Sequence, residues 1–281
     1  MSDGLKIVVL IKQVPDTSSA AGVNPDGTVD RARAKKMMNP FDKFALQKAL
    51  ESRRDHGGEI VAISMGPPPA IEVLNEALEY GADKGYLLSD RRLAASDTLA
   101  TAYALFKTIE WIGGVDLVFT GLQTTDGDTA QTGPQIAERM GLAQVTYTET
   151  MKITGRTIRA SRIIDGGLQH VELQMPALIT VANSASKLEY KTFANVYKFK
   201  ELARDPKALE GRVRAIDLDV IGANAARVGL VGSPTVVGKT WKLGEKGGTC
   251  KIFKGDAPAH EAQLLAGALA ADGQGMEELL K

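Results

Sequence analysis

Short apolar runs alternate with amphipathic stretches over the first 140 residues. Residues 5–11 (LKIVVLI) are almost continuously apolar over strand length, as in a parallel strand covered on both faces. Residues 60–65 (IVAISM), 84–88 and 116–120 (DLVFT) read as three further strands. Between them the apolar positions fall at helical spacing. Phe41, Phe44, Ala45 and Ala49 do so within 41–52; Ile71, Leu74, Ala77 and Leu78 do so within 70–80, where Gly81 supplies a stop. Residues 96–112 and 129–140 give two more helices. Alternating strands and helices predict an α/β fold built on a doubly wound, mainly parallel sheet.

Residues 144–183 change character. Segments 145–151, 157–163, 170–174 and 178–181 are strand-like, with Gly155 and Gly166-Gly167 as turns. The middle pair reads as a β-hairpin added to the sheet. After Ser184 the pattern loosens. Residues 222–248 are rich in Gly, Val, Ser and Thr without a period, which predicts an extended C-terminal arm, and 259–269 reads as a short helix. The expected division is a core over 1–221 and an arm and tail over 222–281.

Composition narrows the function classes. Hydrophobic residues make up 44% and charged residues 24%, enough for a sizeable core. Basic and acidic residues are both 34, so nothing pulls the chain toward nucleic acid or anionic lipid. The single cysteine, Cys250, excludes an intrachain disulfide and argues against a thiolate metal site. No window approaches the roughly 18 apolar residues of a membrane span, so membrane insertion is not expected and a reducing cytoplasm is the expected setting. His56, His170 and His260 are scattered, which predicts surface positions and neither a metal site nor a catalytic triad. Trp111 and Trp241 read as packing residues.

The chemistry concentrates in residues 121–140, GLQTTDGDTAQTGPQIAERM. A strand, a Gly/Asp/Thr-rich loop and a helix start are the parts from which α/β folds build anion sites. The orphan N–H groups and the positive end of the helix dipole face the ligand. Asp128 or Thr129 is expected to cap the helix, and small Ala130 and Gly133 leave room for a ligand. The alternative is a capped helix after a plain turn. Three shorter segments accompany it: KQVPD at 12–16, MNPFD at 38–42 and SMGPPP at 64–69. Three of the four segments follow strand carboxyl ends, the edge where open α/β sheets bind ligands. GSPTVVGKT at 232–240 imitates a phosphate loop, but its spacing is one residue too long and it lacks strand–helix context. Asp126 and Asp128 sit in a turn, where aspartate is common for structural reasons. No catalytic acid/base group is assigned.

At these residues the chain resembles the electron-transfer flavoprotein β-subunit family. The resemblance rests on KQVPDT at 12–17, MNPFD at 38–42, SMGPP at 64–68, GADKGYLLSD at 81–90, SDTLATA at 96–102, GLQTTDGDTAQTGP at 121–134 and GSPT at 232–235, all in order. It implies a Rossmann-like nucleotide-binding core and an arm that reaches around a partner α subunit holding an electron-carrying FAD. It further implies a β pocket made by Lys12 at the end of the first strand, Asn39, Ser64, Met65, Gly66, Asp126, Asp128, Thr129, Ala130, Gln131 and Thr132. In ordinary members that pocket holds structural AMP. In electron-bifurcating members it holds a second FAD, which takes a hydride from NADH. AMP-type members tend to carry a larger polar residue where this chain has Ala130, which favours FAD. The resemblance also implies docking onto an acyl-CoA dehydrogenase or another redox enzyme through segment 188–200. Here that segment carries Glu189 where the family usually has arginine, with Phe193 as the expected anchor. A stand-alone nucleotide-binding regulatory protein is the competing class, but it would have no use for the long arm.

Overall fold

The apolar runs become the middle of one sheet. In the computed structural model, which describes residues 4–16, 35–236 and 252–271, strands β1 (Leu5–Leu10), β4 (Gly58–Met65) and β5 (Lys84–Leu88) lie side by side and parallel. β6 (Leu117–Gly121) joins β1 on its other flank, again parallel. The chain then makes β7 (Ala143–Thr154), β8 (Thr157–Ile164) and β9 (Gly167–Gln174), an antiparallel meander. It returns to insert β10 (Ala177–Val181) between β6 and β7, parallel to both. A ninth strand, β11 (Val213–Ile216), closes the far side, giving the order β11-β5-β4-β1-β6-β10-β7-β8-β9. The expected β8–β9 hairpin is present, and its turn is the expected Gly166 with positive φ.

Helices cover both faces. The period of two along each strand sorts its side chains accordingly. Ile7, Val9, Ile60, Ala62, Leu117 and Phe119 pack against α1 (Pro40–His56) and α2 (Ile71–Tyr80). Val8, Leu10, Val61, Ile63 and Val118 pack against α3 (Thr98–Ile112) and α4 (Thr132–Met140). This double covering is why β1 reads as a continuous apolar run. Gly81 ends α2 with positive φ, as its sequence position predicts.

Several elements carry no strong sequence pattern. β2 (Gln13–Pro15) and β3 (Lys36–Met38) form a separate two-stranded sheet. The loosened region after Ser184 contains α5 (Phe193–Ala203), α6 (Pro206–Glu210) and β11. Residues 252–271, the described part of a second unit, contain helix α7 (Pro258–Ala271), which overlaps the expected short helix. Trp241, Cys250 and the stretch 237–251 of the expected arm lie outside the described residues. The three histidines are exposed, and Trp111 meets Tyr86 edge to face at 5.2 Å. Among the described residues no helix is long and apolar enough to cross a membrane.

Phe119 is fully buried in the central pair of strands. Phe119→Ala should therefore lower unfolding stability by about 3–5 kcal/mol. The check is the shift in a denaturant unfolding curve, and a loss under about 1 kcal/mol would contradict its core position.

Candidate functional site

Connections leave β1 and β6 toward opposite sides of the sheet, so a crevice opens between their carboxyl ends. A cleft of about 410 Å³ lies there, within the size range of small-molecule sites. Its floor is Leu10, Ile11 and Ile63; one wall is the loop after β6, and the other is the turn before α3.

The floor is held by a buried carboxylate. Asp42 lies in the first turn of α1, beneath the ends of both strands. The Lys12 N–H donates to its Oδ2 at 2.7 Å, and Gly121 N–H and the Asn39 side chain also stabilise the charged form. Burial nevertheless dominates and pushes the Asp42 carboxyl up to about 7. A Cβ at position 121 would lie 2.4 Å from Asp42 Oδ1, so only glycine fits there. Asn39 is fully buried beside it. Its amide donates to Gln123 O at 2.8 Å, and its Oδ1 accepts from Thr125 N–H at 3.3 Å. MNPFD is thus the anchor of the ligand-edge loops. The resemblance implies a role for Asn39 within this motif but none for Asp42.

Above this floor the Lys12 ammonium bonds both Asp126 carboxylate oxygens at 2.8 Å, bridging the crevice. Burial pushes the Asp126 carboxyl up, but the Lys12 ammonium together with the Thr124 side chain and a main-chain N–H leaves the group below its usual value. The loop then turns through left-handed backbone at Asp128 and Ala130, with φ of 50° and 54°. Each such non-glycine residue costs about 1 kcal/mol. The expected cap is corrected by this turn. Neither Asp128 nor Thr129 caps α4: the helix starts at Thr132 and Gln131 stands at the cap position without a side-chain cap bond. Asp128 is instead drawn away by Gln123, whose amide donates to its Oδ1 at 3.0 Å.

The result is a run of free donors. The N–H groups of Thr129, Ala130, Gln131 and Thr132 bond to no group among the described residues. Left-handed Ala130 followed by right-handed Gln131 is the alternation that makes successive N–H groups converge into an anion-binding concavity. The start of α4 adds its dipole. Across the cleft, Thr98 Oγ1 donates to Gln131 Oε1 at 3.0 Å and accepts from the Gln135 amide at 3.3 Å. The two walls are thereby connected.

Of the residues expected to bind the nucleotide, Lys12, Met65, Thr129, Ala130, Gln131 and Thr132 line this cleft. Asn39, Asp126 and Asp128 shape its loops from behind. Ser64 and Gly66 do not line it. The Ser64 hydroxyl is buried without a partner among the described residues, and Gly66 donates its N–H to Leu88 O at 3.1 Å. The α3 wall is made by Ala95, Ser96, Asp97, Thr98 and Thr101, of which all but Ala95 fall in the SDTLATA motif, to which no ligand role is assigned from sequence. Phe193 lies elsewhere, at the start of α5. Within segment 188–200, Thr192 caps α5 by accepting from Asn195 N–H at 3.2 Å. Phe193 is 85% exposed, stacks on Tyr197 with ring centroids 6.2 Å apart, and stands near Tyr190, which is 96% exposed. Among the described residues no cluster of His, Cys, Asp or Glu could hold a metal.

The sign of the Asp42 titration can be worked out. Its native pKa of about 7 lies above the 3.8 of an unperturbed carboxyl. The native state therefore holds the extra proton between these values, and stability rises as pH falls from about 7 toward 4. The slope is at most about 1.4 kcal/mol per pH unit. In Asp42→Asn this contribution disappears. Unfolding curves at pH 8 and pH 5 should show a wild-type gain toward acid that the variant lacks; parallel curves would contradict the assignment.

Comparison with known proteins gives the family. Residues 26–218 match the family model described as electron transfer flavoprotein domain. The chain is 39% identical over 249 residues to the acryloyl-CoA reductase electron transfer subunit gamma of Anaerotignum propionicum, covering 86% of this chain and 90% of that one. It is 40% identical over 240 residues to protein FixA of Azorhizobium caulinodans, covering 83% of each. Over 256 residues it is 40% identical to the electron transfer flavoprotein subunit beta of Thermoanaerobacterium thermosaccharolyticum, covering 90% of this chain and 93% of that one. With a family match across most of the core and relatives aligned over most of their lengths, the chain belongs to the electron transfer flavoprotein β-subunit family.

Proposed function

We propose that the chain acts with an α subunit to carry electrons between redox enzymes, and that its cleft binds FAD through which the pair oxidises NADH. The observation that carries the nucleotide reading is the run of free N–H groups at Thr129–Thr132, aimed from a helix start into a cleft at the β1/β6 edge. Such donors suit a phosphate or diphosphate. The residues fit that group, since the wall position facing it is Ala130, which adds little bulk. A bound flavin would supply the exchange between two-electron and one-electron transfer. The chain's own residues bind and orient the ligand: Lys12 offers a cation, 129–132 hold the phosphates, and Leu10, Ile11 and Ile63 give an apolar floor. Hydride exchange needs no acid/base dyad.

A second reading, structural AMP, is favoured by the volume. About 410 Å³ lies toward the small end of the range for ligand sites, as suits a mononucleotide. Acid extraction of the purified heterodimer and chromatography of the released nucleotides separate the two readings. Roughly two FAD per heterodimer, bleached by NADH, is the expected outcome for a carrier with a flavin in each subunit. Stoichiometric AMP with one FAD that NADH does not reduce would replace FAD with AMP. Ala130→Arg should fill the cleft and expel the nucleotide, and an undiminished content would overturn the site.

For the acceptor enzyme we assign docking to Phe193, whose exposed ring suits the role of an interface anchor. Phe193→Ala should slow electron delivery about tenfold or more, as for a hot-spot residue, with assembly and cofactor content intact. Loss of cofactor or of assembly would show a structural role instead.

A further inference from the structure

The GSPT motif is absorbed neither by the fold nor by the loop after β6. Its residues lie against the α3 wall of the cleft. Asp97 is the pivot. Its Oδ1 caps α3 by accepting from Ala100 N–H at 2.9 Å. Its Oδ2 accepts from Thr235 twice, from the N–H at 3.1 Å and from the hydroxyl at 2.8 Å. The Asp97 N–H donates to Ser233 Oγ at 2.8 Å, and that hydroxyl donates onward to Gly229 O at 2.6 Å. One residue earlier, Ser96 Oγ accepts from Gly229 N–H at 2.8 Å.

This approach demands glycine. Gly229 has φ of 62°, and a Cβ there would lie 2.2 Å from Arg92 O; a Cβ at Gly232 would lie 2.1 Å from the Arg227 carbonyl carbon. The segment is fixed upstream by Val228, which is buried with Leu93 and Tyr103, and by Arg227, stacked 4.2 Å over the Tyr103 ring. It holds a wall under tension: Ala95, which lines the cleft, is left-handed with φ of 60°. From this wall Thr98 reaches across to Gln131.

We propose that Ser233 and Thr235 are positioning residues for the nucleotide. They fix Asp97 and the first turn of α3, and through Thr98 they set Gln131, without touching the ligand themselves. Each hydrogen bond to the Asp97 carboxylate comes from α3 or from this segment. A carboxylate released toward the phosphate loop would repel the anion that the Thr129–Thr132 donors attract. The inference rests on the nucleotide reading of the cleft.

The test uses the heterodimer, stripped of nucleotide and titrated separately with AMP and with FAD. Ser233→Ala/Thr235→Val removes the hydroxyl that accepts from the Asp97 N–H and the hydroxyl that donates to its carboxylate, and should weaken whichever nucleotide the wild type binds by about tenfold. Assembly with the α subunit should persist. Thr235→Ser keeps the hydroxyl and should restore affinity in the single-site series, whereas Thr235→Val should not. Equal affinity in wild type and double variant overturns the inference. So does a Thr235→Ser variant as weak as Thr235→Val, which would leave only a packing role. If the double variant does not assemble, the two single variants decide by the same comparison. A wild-type heterodimer that takes up neither nucleotide overturns the cleft reading itself, a result distinct from a wild type that binds and variants that bind equally.

Discussion

The cleft depends on a carboxylate that water does not reach. Asp42 joins three parts distant in sequence: the end of β1 through Lys12 N–H, the end of β6 through Gly121, and the start of α1 on which it sits. Two other aspartates join strand ends at the opposite edge. Asp83 accepts from Ile60 N–H and pairs with Arg53; Asp116 accepts from Lys6 N–H and pairs with Arg156. Those two keep a guanidinium partner and some solvent. Asp42 has main-chain and amide donors around it, and the nearest cation, Lys12, is turned to Asp126. The same residue type therefore makes an ordinary ionic clasp at one edge and a clasp with a displaced titration at the ligand edge.

What the clasp supports is recognition by main chain. A loop that spends strain at Asp128 and Ala130 in advance leaves less ordering to be done when an anion arrives. Pro134, near the start of α4, has no N–H of its own, so the donors cluster just ahead of it. The opposite wall is built differently: side-chain bonds from a remote segment set its backbone. One wall presents atoms and the other sets the width.

Much of the scaffold was legible because burial on both faces leaves an unmistakable trace. β1, β4 and β6 show it as apolar runs, and α2 as a clean helical period closed by glycine. α5 escaped because it buries no residue fully, so its apolar positions carry little periodic signal. The insertion of β10 between β6 and β7 escaped for another reason: strand order is decided by packing across the sheet, and no local pattern encodes it. At the cleft, the loop after β6 was visible from its strand–loop–helix context. Asp42 was quoted within its motif but not understood, since its meaning comes from residues 12 and 121. The Asp128 cap failed because a carboxylate beside a helix start is a good prior, and here Gln123 and a left-handed turn outcompete it.

Main-chain recognition also bears on how such a cleft diverges. An N–H group survives every substitution except proline, so drift through residues 129–132 leaves these donors in place while the side chains around them change. Grip and choice of ligand then reside on separable parts of the same loop: the backbone keeps the first, and the bulk carried at a position such as Ala130 adjusts the second. A lineage built on this loop can exchange one phosphate-bearing ligand for another without passing through an ancestor that holds neither.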